Sequence, residues 1–202
     1  MTLEHEHDAK LWDLLISGDE KAYSDLFRKY YSPLITYGNS LTSHRILVAD
    51  CVQEVFLDIW VYRRKLTRPA SVKAYLLSGV RKRIARRLER ERIFKHPQGL
   101  EEAELDHGLA FRLNFTVLDE LILDEETRQQ VGQINRLLNQ LPERQKEALY
   151  LRYHQGLDIP QIAEMMEINP QSASNLLHRA IKFLRRSWVG DTALLLLFLN
   201  SI

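Results

Sequence analysis

Two helix starts only about ten residues apart constrain the fold of this chain more than any other feature. Asp158 stands just before Pro160, and Asn169 directly precedes Pro170. Asp and Asn are preferred N-cap residues, and proline is favoured in the first turn of a helix, where its nitrogen needs no hydrogen-bond partner. The spacing predicts a short helix that ends near Met166 and a second helix that begins at Pro170. Two helices joined by so short a turn cross steeply, as in a helix-turn-helix.

The second of these helices separates its side chains into two faces. Apolar residues recur at helical spacing at Ala173, Leu176, Leu177, Ala180, Ile181 and Leu184. The outward residues that we take as candidate DNA contacts are Gln171, Ser172, Ser174, Asn175, His178, Arg179 and Lys182. Uncharged amides and hydroxyls at the start of a helix can contact base edges in the major groove, and cations further along can contact phosphates. The alternative is a plain helical hairpin inside a bundle.

The rest of the chain also has helical rather than strand-like periodicity. No segment alternates apolar and polar residues between hairpin turns, so the fold class predicted is all-α. The segment after residue 95 combines Pro, Gly and acidic residues with little periodicity, which indicates a linker. The sequence therefore predicts two helical domains joined by a linker, the C-terminal one containing the helix-turn-helix. The predicted division is a domain at 1–95, an acidic linker at 96–126, a second domain at 127–191 and an apolar tail at 192–202.

Charge is distributed unevenly along the chain although its net value is only +1. Residues 63–95 carry 13 Lys and Arg against 2 Glu, and residues 100–126 carry 9 Asp and Glu against one Arg. A helix predicted at about 72–94 holds most of these cations, and so many like charges repel one another unless an anionic partner covers them. A solvated helix face is the alternative. The candidate DNA contacts on this helix are Arg81, Lys82, Arg86, Arg87 and Arg90.

Another predicted helix, within "ILVADCVQEVFLDIWVYRR", carries a polar face. Asp50, Gln53 and Glu54 share this face because they are three and four residues apart. Two carboxylates and an amide on one face offer acceptors to a basic partner, although the same pattern also serves simple helix solubility.

Several classes of function lack support in the sequence. Cys51 is the one cysteine, so the chain has no internal disulfide framework, and this favours a reducing compartment such as the cytoplasm. A free cysteine is most often a buried small side chain, which is what we expect of Cys51. The apolar run at 193–199 is far shorter than the roughly 20 residues of a membrane-spanning helix. We therefore expect no membrane insertion. The sequence also contains no metal site, cofactor motif or catalytic constellation, so we expect no metal, no cofactor and no enzymatic activity.

Two segments carry a resemblance to a known family. The C-terminal segment "LPERQKEALYLRYHQGLDIPQIAEMMEINPQSASNLLHRAIKFLRR" resembles the fourth conserved region of extracytoplasmic-function (ECF) sigma factors, which belong to the sigma-70 family. The segment "ADCVQEVFLDIW" is similar to the signature of their second region. The order of the two segments and the linker between them also match, over about residues 10 to 188. Helix-turn-helix motifs alone are common, but this pair in this order is specific.

The resemblance implies a non-catalytic subunit that directs core RNA polymerase to promoter DNA. In the family, the polar face of the second-region helix docks on the polymerase, which corresponds here to Asp50, Gln53 and Glu54. The loop "RKLTRPAS" and the basic helix would open and hold the minus-10 promoter element, with Trp60, Tyr62 or Tyr75 as candidate platforms for an unstacked base, and the helix-turn-helix would bind the minus-35 element. An anti-sigma protein is a further candidate partner.

Some positions depart from the family pattern, and one alternative function stays open. Lys82 stands where many members have Asn, which favours phosphate contact over base recognition. Glu167 stands in the helix-turn-helix where Gly is common, and a left-handed backbone there would cost on the order of 1 kcal/mol. The alternative function is a helix-turn-helix transcriptional regulator with an N-terminal sensing or dimerisation domain, which would not need a polymerase-docking face.

Overall fold

The computed structural model describes residues 3–95, 109, 111 and 125–188. All regular structure within these residues is helical, which confirms the all-α prediction. The chain divides into two compact units, Met1–Ala110 and Phe111–Ile202. The finer division into domains, linker and tail stays a prediction.

The described part of unit 1 contains four α-helices. They are α1 (Leu3–Ser17), α2 (Glu20–Leu41), α3 (Arg45–Tyr62) and α4 (Val72–Lys95), with a 3₁₀ turn at Arg63–Lys65. Gly18 ends α1 with a φ of +100°, a conformation that glycine adopts without steric cost. Asp19 then caps α2, because its carboxylate accepts a hydrogen bond from the Ala22 amide at 2.8 Å.

The core of unit 1 forms where α2, α3 and α4 pack together. α2 contributes a stripe of buried residues at helical spacing: Ala22, Leu26, Tyr30, Leu34, Tyr37 and Leu41. Gly38 allows α2 to approach its neighbours closely, since a Cβ atom there would lie 2.4 Å from Val48 Cγ1 and 3.2 Å from Ile84 Cδ1. Cys51 is fully buried, as predicted, and burial raises the pKa of its thiol to about 11.

Unit 2 contains α5 (Glu125–Gln140), α6 (Glu143–Leu149), α7 (Ile159–Met165) and α8 (Pro170–Ser187). Pro142 and Gly156 predict one helix between them, because proline suits the first turn of a helix and glycine commonly ends one. In the structure, α6 gives way to a π-helical turn at Tyr150–His154. Gly156 follows with a φ of +68° and does end the segment.

Phe111, which falls in the predicted linker, is buried within unit 2. Its side chain is 2% exposed, and its ring centroid lies 5.5 Å from that of Tyr150. An anchoring aromatic residue was not expected in a segment that the sequence assigns to a linker. The apolar tail predicted at 192–202 lies outside the described residues.

Candidate nucleic-acid interface

The helix-turn-helix of unit 2 has the capping predicted from its two prolines. Asp158 and Gln161 form a reciprocal capping box at the start of α7, with hydrogen bonds of 2.8 and 2.9 Å. The Asn169 side chain accepts a hydrogen bond from the Ser172 amide at 2.7 Å, which starts α8. These local hydrogen bonds set where α8 begins and therefore which of its side chains face outward.

The turn between α7 and α8 contains a strained residue. Glu167 has a φ of 56°, which is the left-handed region that non-glycine residues rarely adopt. The turn is held by two backbone hydrogen bonds, from the Glu167 amide to the Glu164 carbonyl at 3.3 Å and from the Ile168 amide to the Ala163 carbonyl at 2.9 Å. Glu167 therefore adopts the left-handed backbone in which a non-glycine residue is strained.

The candidate contacts on α8 are distributed as its periodicity predicts. Ala173, Leu177, Ala180 and Leu184 are buried, and Leu176 and Ile181 are half-buried. Of the outward residues, Gln171, Asn175, His178, Arg179 and Lys182 are exposed, and Ser172 and Ser174 are half-buried. The Gln171 amide nitrogen donates to Asn175 Oδ1 at 3.1 Å. This hydrogen bond joins the two amides and does not use the Asn175 NH₂ group or the Gln171 carbonyl oxygen.

On α4, by contrast, the candidate DNA contacts fall into three different environments. Arg86 and Arg90 are exposed, and Lys82, one turn before Arg86, is half-buried. We call Lys82, Arg86 and Arg90 the cationic ridge, because residues four apart lie on one face of a helix. Arg87 lies on the neighbouring face, towards α3.

Arg81 does not lie on the surface of the helix, where the sequence analysis expects it. Its side chain is only 5% exposed. Leu76, Val80, Ile84 and Leu88 recur every four residues and predict a narrow apolar stripe. In the structure α4 packs against α1, α2 and α3 and buries a broader arc. The residues buried on it are Val72, Leu76, Leu77, Val80, Arg81, Ile84 and Ala85. Arg81 therefore belongs to the packed side of α4 and is not retained as a DNA contact.

Carboxylates of α3 pair with two arginines of α4. Glu54 forms an ion pair with Arg87 and also lies 3.9 Å from Arg83 Nε, while Asp58 pairs with Arg83. The four side chains keep 23% to 52% of their surface exposed, so each pair contributes about 0–1 kcal/mol. Glu54, a candidate polymerase contact, is thus engaged inside unit 1, and Arg87 is already partly neutralised.

The outward face of α3 contains apolar residues that the sequence analysis missed. Asp50 and Gln53 are exposed as predicted. Ile46, Leu57 and Val61 share their side of the helix and are 81%, 57% and 57% exposed. The available signal was the run of apolar residues around nearly the whole helix, since more apolar side chains are present than one buried stripe can hold. We call Ile46, Asp50, Gln53, Leu57 and Val61 the α3 outer face.

The aromatic candidates lie around the loop between the 3₁₀ turn and α4. Tyr62 is 52% exposed and Tyr75 is 39% exposed. Burial raises the pKa of Tyr75 above its ordinary value. Trp60 is half-buried, with the Arg63 guanidinium 4.2 Å from its ring centroid. Tyr62 and Tyr75 are therefore the more accessible aromatic surfaces.

Two further properties concern only the part of the chain that the structure describes. No described helix is long and apolar enough to cross a membrane. No three described His, Cys, Asp or Glu side chains are grouped so as to hold a metal ion.

Comparison with known proteins agrees with this architecture. The family model of sigma-70 region 2 matches residues 26–93, and that of sigma-70 region 4 matches residues 132–184. A search of curated proteins found no match. Together the two family models cover more than half of the chain, in the order that the sequence analysis predicted.

Two solved structures are similar in fold. One is CnrH, solved in complex with the cytosolic domain of CnrY, at 16% identity and a TM-score of 0.56, with 89% of this chain and 95% of that chain covered. The other is the sigma factor RpoE of Bartonella quintana, solved in complex with the anti-sigma factor NepR, at 18% identity and a TM-score of 0.55, with 83% and 96% covered. At these identities the likeness establishes the fold.

The chain therefore belongs to the sigma-70 family, and its layout of region 2, linker and region 4 is that of the ECF group. It is a sigma factor, that is, a transcription initiation factor that binds core RNA polymerase and directs it to promoters. Sigma factors are non-catalytic. The region 2 match decides against a regulator with an N-terminal sensing domain.

Proposed function

We propose that this sigma factor divides its work among three surfaces. The α3 outer face docks on core RNA polymerase, the cationic ridge of α4 with the loop at 66–70 holds the opened minus-10 element, and the first turns of α8 read the minus-35 element. The protein acts in the cytoplasm, where its polymerase and promoter partners are, and has no enzymatic activity of its own.

The exposed apolar residues of α3 carry the docking assignment. Leu57 and Val61 are each 57% exposed and lie four residues apart, on the same side of the helix as Asp50 and Gln53. Contiguous exposed apolar side chains rimmed by polar groups are typical of a protein interface. We include Glu54 in this surface only at its edge, because its carboxylate already pairs with Arg87.

The minus-35 assignment rests on the order of side chains along α8. Exposed amides at Gln171 and Asn175 precede exposed cations at Arg179 and Lys182. A helix that enters the major groove brings its N-terminal residues to the base edges and its later residues to the phosphates. The serines at 172 and 174 and His178 complete the proposed surface.

The minus-10 assignment rests on charge and exposed aromatic surface. Arg86 and Arg90 are exposed and form no ion pair with any described residue. They can therefore bind phosphates without first losing a partner. Tyr62 and Tyr75 offer ring surface on which an unstacked base can lie. Lys82, half-buried at one end of the ridge, is assigned to phosphate rather than to base contact.

An anti-sigma protein is included among the proposed partners because RpoE of Bartonella quintana was solved with one. A protein that covered the α3 outer face would prevent docking on the polymerase.

The proposed division of the chain at 1–95, 96–126, 127–191 and 192–202 can be tested by limited proteolysis, which should cut first between 96 and 126.

Capture of the full chain by immobilised core RNA polymerase tests the docking surface. We expect Leu57→Glu and Asp50→Lys each to reduce capture about tenfold or more. The first places a carboxylate at an apolar position in the centre of the interface, and the second reverses a charge there. Leu14→Glu is a matched control, because Leu14 is an exposed leucine of the same unit, at 49%, on a different helix. Equal capture of the parent and the Leu57→Glu variant, with unchanged helical circular dichroism, would refute the assignment.

A further inference from the structure

Helix α1 reaches the loop that is assigned to the minus-10 element, although it lies before the segment that matches the region 2 model. That segment begins at residue 26, and α1 spans Leu3–Ser17. Two adjacent residues of α1 contact the loop. The Trp12 indole nitrogen donates to the Thr67 carbonyl at 3.3 Å, and Asp13 pairs with Arg68 at 3.0 Å.

Trp12 also supports the aromatic surface beside the loop. It is 1% exposed, and its ring packs edge-on against that of Tyr75, with centroids 5.2 Å apart and an interplanar angle of 73°. One buried side chain thus fixes both a backbone carbonyl of the loop and one of its candidate base platforms. The exposed pair between Asp13 and Arg68, with side chains 52% and 57% exposed, adds little energy but is consistent with the same alignment.

The ends of the loop are held by separate contacts. The Leu66 amide donates to the Arg63 carbonyl at 3.2 Å, and Ser71 Oγ accepts from the Ala74 amide at 3.2 Å where α4 begins. Thr67, Arg68 and Ala70 between these ends are exposed, and no described helix begins or ends there. The contacts from α1 therefore reach the part of the loop that its own ends do not hold.

α1 is itself firmly attached to α2. Asp8 is 6% exposed, and its carboxylate accepts hydrogen bonds from Lys29 Nζ at 2.7 Å and from the Tyr30 hydroxyl. Hydrogen bonds to a buried charged group are among the stronger ones in proteins. The helix that carries Trp12 therefore has a defined position on the core of unit 1.

We propose that Trp12, assisted by Asp13, is a positioning residue for the recognition of the opened minus-10 strand. It holds the backbone at Thr67 and the ring of Tyr75 in one arrangement, so that a displaced base meets a preformed surface. An ordered surface discriminates between bases better than a mobile one, because it cannot repack to fit the wrong base. This inference rests on the proposed assignment of the loop to the minus-10 element.

Two measurements on the full chain test the proposal. The first is hydrogen exchange of the loop amides in the free protein, which does not depend on any promoter function. The second uses holoenzyme assembled with core polymerase and a pool of promoter fragments with a preopened, randomised minus-10 segment, and it measures base enrichment at each position by sequencing the retained DNA.

The variants are Trp12→Phe, which keeps an aromatic ring but loses the N–H donor, and Trp12→Ala, which loses both. We expect Trp12→Phe to speed exchange at the amides of residues 66–68 and 70. It should also lower enrichment at one or two adjacent positions by about two- to tenfold, the size expected from one lost hydrogen bond. Leu34→Ala, at a fully buried position of α2, is the control for general destabilisation. It should lower total recovery of DNA and leave the enrichment profile unchanged.

The outcomes separate this proposal from the one on which it rests. Unchanged enrichment with Trp12→Phe, whether or not exchange becomes faster, overturns the positioning role while the minus-10 assignment stands. A parent holoenzyme that enriches no base in the opened segment overturns the minus-10 assignment and the positioning role together. If Trp12→Ala fails to fold, Trp12→Phe still decides the question.

Discussion

The two helices assigned to promoter DNA, α4 and α8, are both rich in cations but present them in different ways. On α8 the exposed cations follow exposed amides, and no described carboxylate pairs with Arg179 or Lys182. On α4, Arg83 and Arg87 pair with carboxylates of α3, and Arg81 is buried. A count of cations therefore describes the binding surface of α8, whose buried residues are all apolar. It overstates the binding surface of α4, where one cation is buried and two pair with a neighbouring helix.

The largest effect should come from a change that damages the support of α4 and leaves α8 intact. Gly38→Ala would place a methyl group 2.4 Å from Val48 Cγ1, and we expect it to destabilise unit 1 by roughly 1–3 kcal/mol. Minus-10 binding should fall while minus-35 binding is retained. Thermal unfolding and binding to each element separately provide the measurement.

Gly132→Ala is the matched control for that experiment. Outside the backbone of its own helix and its two chain neighbours, no heavy atom of the described residues lies within 4 Å of a Cβ built at Gly132. Alanine is favoured over glycine inside a helix by about 1 kcal/mol. Gly132→Ala should therefore leave stability unchanged or raise it. A Gly38→Ala variant that melts like the parent would show that the close approach of α2 to Val48 and Ile84 can relax.

The next effect concerns sequence preference on α8. Asn175→Ala should reduce the ratio of affinities for native and mutated minus-35 sequences, by about 1–3 kcal/mol if Asn175 makes a good bidentate base contact. Arg179→Ala should weaken binding to both sequences alike, because we assign its contact to phosphate. An Asn175→Ala variant with the same ratio as the parent would contradict the assignment for that residue.

A smaller effect distinguishes the two faces of α4. Arg86→Ala should lower the slope of log affinity against log salt by about one, the value for one lost phosphate contact. Arg87→Ala should lower it less, because Arg87 is shared with Glu54. Glu54→Gln should steepen the slope, since it removes the carboxylate that competes with DNA. Equal slopes for Arg86→Ala and Arg87→Ala would show that the pairing with α3 does not affect DNA binding.

The smallest effect is expected in the turn before α8. Glu167→Gly should stabilise unit 2 by roughly 0.5–1 kcal/mol, because glycine removes the strain of the left-handed backbone. The gain is reduced because glycine also raises the conformational entropy of the unfolded chain. Unfolding in denaturant measures the change, with Glu164→Gly on α7 as a destabilising control. A loss of stability in Glu167→Gly would mean that the glutamate side chain compensates for its backbone.

Much of α8 could be predicted from the sequence, because its environment is decided locally. Asn169 and Pro170 set where the helix starts, and the periodicity of its apolar residues then sets which side chains are exposed. The helical class could be predicted for the same reason, since caps, prolines and periodicity act over a few residues. The order of the two regions was predicted from the resemblance of two segments to the sigma-factor family.

Tertiary structure alone decided several of the environments within unit 1. Arg81 is buried because α4 packs against three helices, and Glu54 meets Arg87 because α3 lies beside α4, 33 residues away in the chain. Trp12 reaches Thr67 across 55 residues. Contacts of this kind depend on how helices are placed in three dimensions, and the periodicity of one segment contains no information about the arc that its neighbours will cover.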